Sequence, residues 1–338
     1  MSRGHEVSLL SGAWPGAPSH DLVDGVSITR VPGILGLHCY VPLFLRRAGS
    51  VEIIVSDLSH VLPWGTHLFS RIPFVNYFRH LHARTLRGQV GPFLARALMA
   101  VETSYRLTLG QGKVVTETEF SRDDLVRLGI DRSRVRVIPP GVDLRTFNPG
   151  TMTPEPTLVY FAGMRRYKRP EHALQLLSRL RSRGIVATLD FIGDGPSMAN
   201  LKQLVAENRL TQFVRFWGHV SDRQLVEIVR RAWINVICTQ AEGWGLTAIE
   251  AAACGVPTVA YSVPGIRTTV MDGISGRLAP SGNVDSLTEA AVAVMAARNE
   301  LGAKCPRFAE DFSWESTVRS WECLLSEELS TANAPDTG

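Results

Sequence analysis

Two carboxylates, Glu242 and Glu250, stand on either side of the bend Gly243-Trp244-Gly245. Glycine at two of three positions removes side chains where a backbone must turn or approach something closely. From Leu246 onward the pattern is helical and small, with Ala251, Ala252 and Ala253 leaving little bulk toward a neighbour. A helix starting there presents unpaired N–H groups and a partial positive charge, which suits a phosphate. Glu250, in the second turn, would reach a sugar or ribose hydroxyl. The bland alternative is a strand-to-helix loop with two solvated acids. Upstream, Gly163 is followed by Arg165, Arg166, Lys168 and Arg169. Four cations on a tight turn after a strand suit a diphosphate through charge-assisted hydrogen bonds, the alternative being a solvated basic loop. Together the two stretches fit a nucleotide diphosphate-sugar, with cations and helix N–H groups on the phosphates and carboxylates on the hydroxyls.

Other candidates are Asp57, His60, His80 and His82, which fall just beyond the apolar runs 51–55 and 73–78. In parallel α/β sheets ligands gather at such strand ends, and His80 would face the sugar from across a cleft. Two histidines two apart make a weak metal pattern, but no third ligand accompanies them and no metal is expected. Gly193-Asp194-Gly195-Pro196 and residues 12–16 (GAWPG) do not complete GxGxxG, and no GxxxxGK[ST] loop occurs, which argues against a dehydrogenase or P-loop enzyme.

The elements that must position these residues read as α/β. A chain of 338 residues is long for one core, and two domains are the natural division. With 45% hydrophobic and 20% charged residues it is not disordered. The net charge of +4 and pI near 8.9 are too mild to argue for nucleic acid; they suit anionic small molecules or loose contact with an anionic membrane. Cys39, Cys238, Cys254, Cys305 and Cys323 form no metal spacing and read as reduced core or near-core thiols of a cytoplasmic protein. No run approaches 18 apolar residues.

In order, strands are expected over 7–11, 26–31, 51–55 (buried on both faces) and 73–78, with helical sequence over 91–107. A short helix opens at Ser121 as N-cap. Proline and glycine density over 139–155 marks a linker. Beyond it strands at 157–161, 187–192, 213–218, 234–237 and 258–261 alternate with helices, ending in helices over 284–297 and 314–329. This rhythm predicts two doubly wound parallel sheets, in a domain over 1–150, a second over 151–309, and a C-terminal helix over 310–330 packing back on the first.

At this point several stretches resemble the family-4 retaining glycosyltransferases of the GT-B fold: VVTETEFSRDDLVRLGI, VRVIPPGVDLRTFNPG, YFAGMRRYKRPEHAL, FIGDGP, FWGHVSD, EGWGLTAIEAAACGVPTVAYSVPGIRTTV, DGISGRLAP and FSWE. The likeness is strong from Val114 onward. It implies two Rossmann-like domains facing across a cleft, and transfer of a hexosyl unit from a nucleotide diphosphate-sugar to a glycan, lipid-linked or small-molecule hydroxyl. It further implies front-face chemistry with no metal and no acidic side chain required at the first domain's strand ends. In such enzymes the first Glu of the pair and its following backbone face the donor sugar, which carries over to Glu242, Gly243, Trp244, Gly245 and Leu246. The second Glu binds the ribose, here Glu250. The basic loop at Gly163 holds the diphosphate, which points to Lys168, and a first-domain histidine lines the sugar, His80 by position with His82 the alternative.

Two departures accompany the resemblance. The family's phosphate loop opens Gly-Arg where this chain has Ala162-Gly163, and Arg165 is expected to supply the displaced charge. The family also opens with a strand, a glycine-rich loop and a helix leading into the sequence found here at residues 3–7. The expectation is that the coding sequence begins upstream of Met1 and that the shorter form transfers poorly, a damaged or regulatory form being the alternative. Competing functions are a GT-B nucleotide-sugar epimerase, a phosphorylase, and a non-catalytic nucleotide-sugar-binding protein. The segment 64–87 is either an acceptor or membrane-facing surface, which would allow peripheral contact with the inner membrane face, or core.

Overall fold

A computed structural model describes residues 3–47, 51–81 and 91–332. The second half is a six-stranded, all-parallel sheet built from β8 (Thr157–Phe161), β9 (Thr188–Ile192), β10 (Val214–Gly218), β11 (Ile234–Ile237), β12 (Thr258–Tyr261) and β13 (Gly276–Ala279), in the order β10-β9-β8-β11-β12-β13. Between them run α6 (Pro170–Ser182), α7 (Met198–Glu207), α8 (Asp222–Arg231), α9 (Leu246–Ala253) and α10 (Ile266–Thr269); α11 (Val284–Ala296), α12 (Arg298–Glu310) and α13 (Trp314–Ala332) follow. Every residue of β8 is buried because both faces are covered. Leu158 and Tyr160 pack with Leu174, Leu177 and Leu180 of α6, while Val159 and Phe161 pack with Val226 and Val229 of α8. That double coverage is why the strand reads as a continuous apolar run. Ser221 caps α8 in a reciprocal capping box with Gln224.

The first half carries β1 (Ser8–Ala13), β2 (His20–Val23), β3 (Val26–Pro32), α1 (Ile34–Arg47), β4 (Ile54–Leu58), α2 (Thr66–Phe69), β5 (Phe74–Phe78), α3 (Pro92–Thr103), α4 (Tyr105–Thr108), β6 (Lys113–Thr116), α5 (Glu119–Arg127) and β7 (Val135–Val137). Its strands fall into two sheets, β4-β5-β6-β7, all parallel, and β1-β3-β2, in which β2 runs antiparallel to β3. Two Rossmann-like α/β halves are thus present, with β1 and β4 each at a sheet edge. The edge position corrects the strand expected at 51–55. It runs three residues later, pairs among the described residues only with β5, and leaves Val55 47% exposed instead of buried on both faces.

Three more readings are corrected. The cap of α5 is Thr118, whose side chain accepts the Ser121 N–H at 3.0 Å, so Ser121 is the donor in the first turn and not the N-cap. Cys39 and Cys323 are exposed, whereas Cys238, Cys254 and Cys305 are buried. Helix α12 lies where no helix was expected, with Pro306 inside it.

The last helix joins the halves. The Val142 N–H donates to the Phe312 carbonyl at 2.8 Å, and Thr317 Oγ1 donates to the Pro139 carbonyl at 2.9 Å. Farther along α13, Leu324 is buried with Val75 of β5, Val115 of β6 and Ile138, with Trp321 against them. One face of the first-half sheet is therefore covered by the end of the chain.

Candidate active site

In the second sheet the strand order reverses between β8 and β11. Loops leaving the carboxyl ends of neighbouring strands at such a switch diverge and open a crevice. The two leaving here are residues 162–169 and 238–245, the basic loop and the first-carboxylate bend. They are tied together by the Gln240 N–H, which donates to the Tyr167 carbonyl at 2.8 Å.

The basic loop is held from below by the turn after β9. The Met164 N–H donates to the Asp194 carbonyl at 2.9 Å, and the Met164 carbonyl accepts the Ser197 N–H at 2.9 Å. Gly193, at φ +112°, approaches so closely that a Cβ would lie 2.3 Å from the Ala162 carbonyl oxygen, which explains the GDGP turn as a packing support. Gly163 itself has room, since a Cβ there would make only ordinary contact with Arg165 Nε at 3.8 Å. The Arg165 side chain is exposed and forms no hydrogen bond among the described residues. Arg169 turns away from that role. With the Gln240 amide oriented to accept, its Nη2 and Nε donate to the Gln240 side-chain oxygen at 2.6 and 3.1 Å. Lys168 points into the crevice, where its Nζ pairs with Glu242 Oε2, both side chains being largely buried.

The first-carboxylate bend meets the other half of the molecule. A Cβ on Gly243 would lie 3.0 Å from His80 Nδ1 and 3.5 Å from Glu117 Oε2. Gly245, at φ +101°, leads into α9 in a left-handed conformation that a side chain resists, and a Cβ there would strike Ile266 Cδ1 at 2.7 Å. Leu246 opens α9 and is 41% exposed. Trp244, expected to face the donor through its backbone, buries its side chain. It is 4% exposed and packs among Val142, Ile249, Cys305 and Phe312, its ring 5.3 Å from that of Phe312. Only its backbone is available to a ligand. Glu250, one turn into α9, is half-buried and makes no hydrogen bond or ion pair among the described residues. Burial, followed by the nearby Asp222, pushes its carboxyl up to about 7.

The facing surface comes from the ends of β5 and β6. His80 follows β5 by two residues, and His82 lies outside the described residues. Arg79 pairs with Asp57 at 2.9 Å. His60 lies with His38 (Nε2 to Nε2, 3.0 Å), and its ring is tilted against that of Trp64, with centroids 4.5 Å apart. In the aromatic segment Phe78 is buried and Phe69 is 45% exposed, while residues 82–87 fall outside the described ones. Sequence reasoning overlooked Glu117. It stands immediately after β6, is only 7% exposed, and accepts a 2.8 Å hydrogen bond from Tyr77 through Oε1. The available signal was its place at a strand's carboxyl end, the criterion that singled out Asp57 and His80. Among the described residues no three His, Cys, Asp or Glu side chains converge as a metal site, and no helix is long and apolar enough to cross a membrane.

Residues 1–146 match the family model described as Glycosyltransferase Family 4, and residues 146–310 match Glycosyl transferases group 1. The chain is 34% identical over 255 residues to a D-inositol 3-phosphate glycosyltransferase of Geodermatophilus obscurus, covering 67% of this chain and 57% of that one. The enzyme of the same name from Mycolicibacterium smegmatis is 31% identical, covering 66% and 54%. The chain thus spans little more than half the length of these relatives. Among solved structures, a sucrose-phosphate synthase from Thermosynechococcus elongatus superposes with a TM-score of 0.81 at 20% identity, over 98% of this chain and 90% of that one. Anabaena Alr3699/HepE in complex with UDP and glucose gives 0.73 at 16% identity, over 96% and 100%. At these identities the superpositions speak for the fold.

Proposed function

Because the chain is a GT-B-fold member of the glycosyltransferases related to group 1 and family 4, we propose that it moves a hexosyl unit from a nucleotide diphosphate-sugar to a hydroxyl acceptor with retention of anomeric configuration. The observation that carries this reading is the Lys168–Glu242 pair, placed at the switch point and faced by His80 across the cleft. In this reading Lys168 and Arg165 hold the diphosphate. Glu242 and the backbone of Gly243, Trp244, Gly245 and Leu246 face the donor sugar, Glu250 takes the ribose hydroxyls, and His80 lines the sugar from the other domain. A diphosphate competes for Lys168 and releases Glu242 to accept from a sugar hydroxyl. Burial strengthens both interactions, because the low-polarity surroundings screen them little. The acceptor belongs to the glycan, lipid-linked or small-molecule class, and the relatives' printed name makes D-inositol 3-phosphate the first acceptor to try.

The test is incubation with a panel of UDP-, GDP- and ADP-sugars, with and without acceptors, following nucleotide release and the anomeric signal of the product by NMR. Retained configuration in a glycosylated acceptor supports the reading; absence of nucleotide-sugar binding sinks it. The split of the first-half strands into two sheets favours one second reading, a protein that binds nucleotide-sugar without turning it over. It is recognised by donor binding with neither hydrolysis nor transfer.

A further inference from the structure

We infer that Glu117 is the acceptor-side carboxylate of this site, its Oε2 accepting a hydrogen bond from the hydroxyl that receives the sugar. The inference rests on the transfer reading above and adds to it a residue from the opposite domain. Glu117 has the geometry of a fixed acceptor. Tyr77 holds Oε1 at 2.8 Å, and the Tyr77 ring is itself held edge-on by Trp321 of α13, with centroids 5.6 Å apart. Oε2 forms no hydrogen bond among the described residues and lies 3.5 Å from where a Cβ on Gly243 would stand. The backbone expected to face the donor sugar and the unoccupied lone pairs of a buried carboxylate therefore border one space, with His80 beside them.

Although the Glu117 side chain is largely buried, Oε2 has no donor among the described residues, and a substrate hydroxyl supplies one. Water exclusion on closure makes the resulting bond stronger than it is in solution. Glu117 accepts from two donors only as a carboxylate, since protonation turns Oε2 into a donor. Its surroundings set that ionisation. Burial raises its pKa most; the Tyr77 hydrogen bond and the Arg79 charge lower it; Glu242 and Asp57 raise it again. Together with the neighbouring His80, these are the titratable groups that face it.

The test compares the full-length wild type with Glu117→Gln and Tyr77→Phe, using UDP-glucose, UDP-N-acetylglucosamine and GDP-mannose as donors. Water and D-inositol 3-phosphate serve as acceptors. Gln keeps the size of Glu and still accepts from Tyr77, so UDP affinity is expected to stay within about twofold while kcat for transfer falls about 10- to 100-fold, the scale of one hydrogen bond to a charged group. The acid limb of kcat at saturating donor disappears in Glu117→Gln and moves to higher pH in Tyr77→Phe, where a pKa-lowering hydrogen bond is gone. An unchanged rate and limb in Glu117→Gln overturns the inference. So does a loss of UDP affinity matching the loss of rate, which marks a merely structural role. A wild type that binds UDP but turns over no donor removes the transfer reading and the inference with it. A wild type that binds none of these nucleotides removes the donor site itself, so the two failures are told apart.

Discussion

Lys168 and Glu242, 74 residues apart in the chain, meet as an ion pair between the loops that leave β8 and β11. The pair can be taken apart by mutation with opposite consequences for the two ends of a nucleotide-sugar. Lys168→Ala removes a cation from the diphosphate and strands a largely buried carboxylate, so UDP affinity is expected to fall about 10- to 100-fold. Glu242→Gln frees the ammonium and leaves UDP bound at least as tightly, while the advantage of UDP-glucose over UDP is lost. Calorimetric titration of both variants with both ligands checks this. Equal weakening of UDP and UDP-glucose in Glu242→Gln would show that the carboxylate acts only through Lys168.

Glu250 provides a pH signature. Its carboxyl is raised to about 7 from an ordinary 4.5, so the folded state binds the proton more tightly than the unfolded chain. The stability contributed is full below about pH 4.5 and is lost as pH rises through about 7. Glu250→Gln removes that penalty, and its melting temperature at pH 8 is expected to exceed that of the wild type, with the difference vanishing at low pH. Ribose hydroxyls donate to a carboxylate, so wild-type nucleotide affinity should rise with pH across the same window and the variant's should be flat. A nucleotide affinity that is pH-independent in both proteins removes Glu250 from the ribose site.

Arg165 is the exposed cation that lies over Gly163, in the loop whose opening departs from the family pattern. Arg165→Ala is expected to weaken UDP binding by about 3- to 10-fold, less than Lys168→Ala, because an exposed charge is screened by solvent and salt. The gap between Arg165→Ala and wild type should close as salt is raised. Unchanged affinity at low salt rules the residue out as a substitute charge.

How much of this was legible follows the burial of each element. In the second half β8, β11 and β12 are buried at every residue, so their apolar runs stood out, and the glycine bend announced the loop after β11. The first half was harder. The β2–β3 hairpin turns at Asp24 and Gly25, both at positive φ, and β2, the strand that was not expected, is four residues long and mostly exposed. Pro42 inside α1 and Pro306 inside α12 disguise helices. Glu117 was missed because it lies among polar residues that also hold a helix cap, and only folding brings the strand end against Gly243.

Trp244 enters the donor-site reading through its backbone, and its side chain has a separate place in the packing. The indole is buried against Phe312 and joins α9 to the segment crossing between the halves. A ligand-contacting tryptophan changed to Ala would weaken nucleotide-sugar binding while leaving the fold intact. The packing predicts the reverse order of effects. Trp244→Ala should destabilise by about 3–5 kcal/mol, as expected for truncating a buried aromatic, while Trp244→Phe should recover much of that loss and bind UDP nearly as the wild type does. Thermal melts followed by titration below each variant's transition measure both. A Trp244→Phe protein of near-native stability that no longer binds UDP-glucose would show that the side chain also serves the donor site.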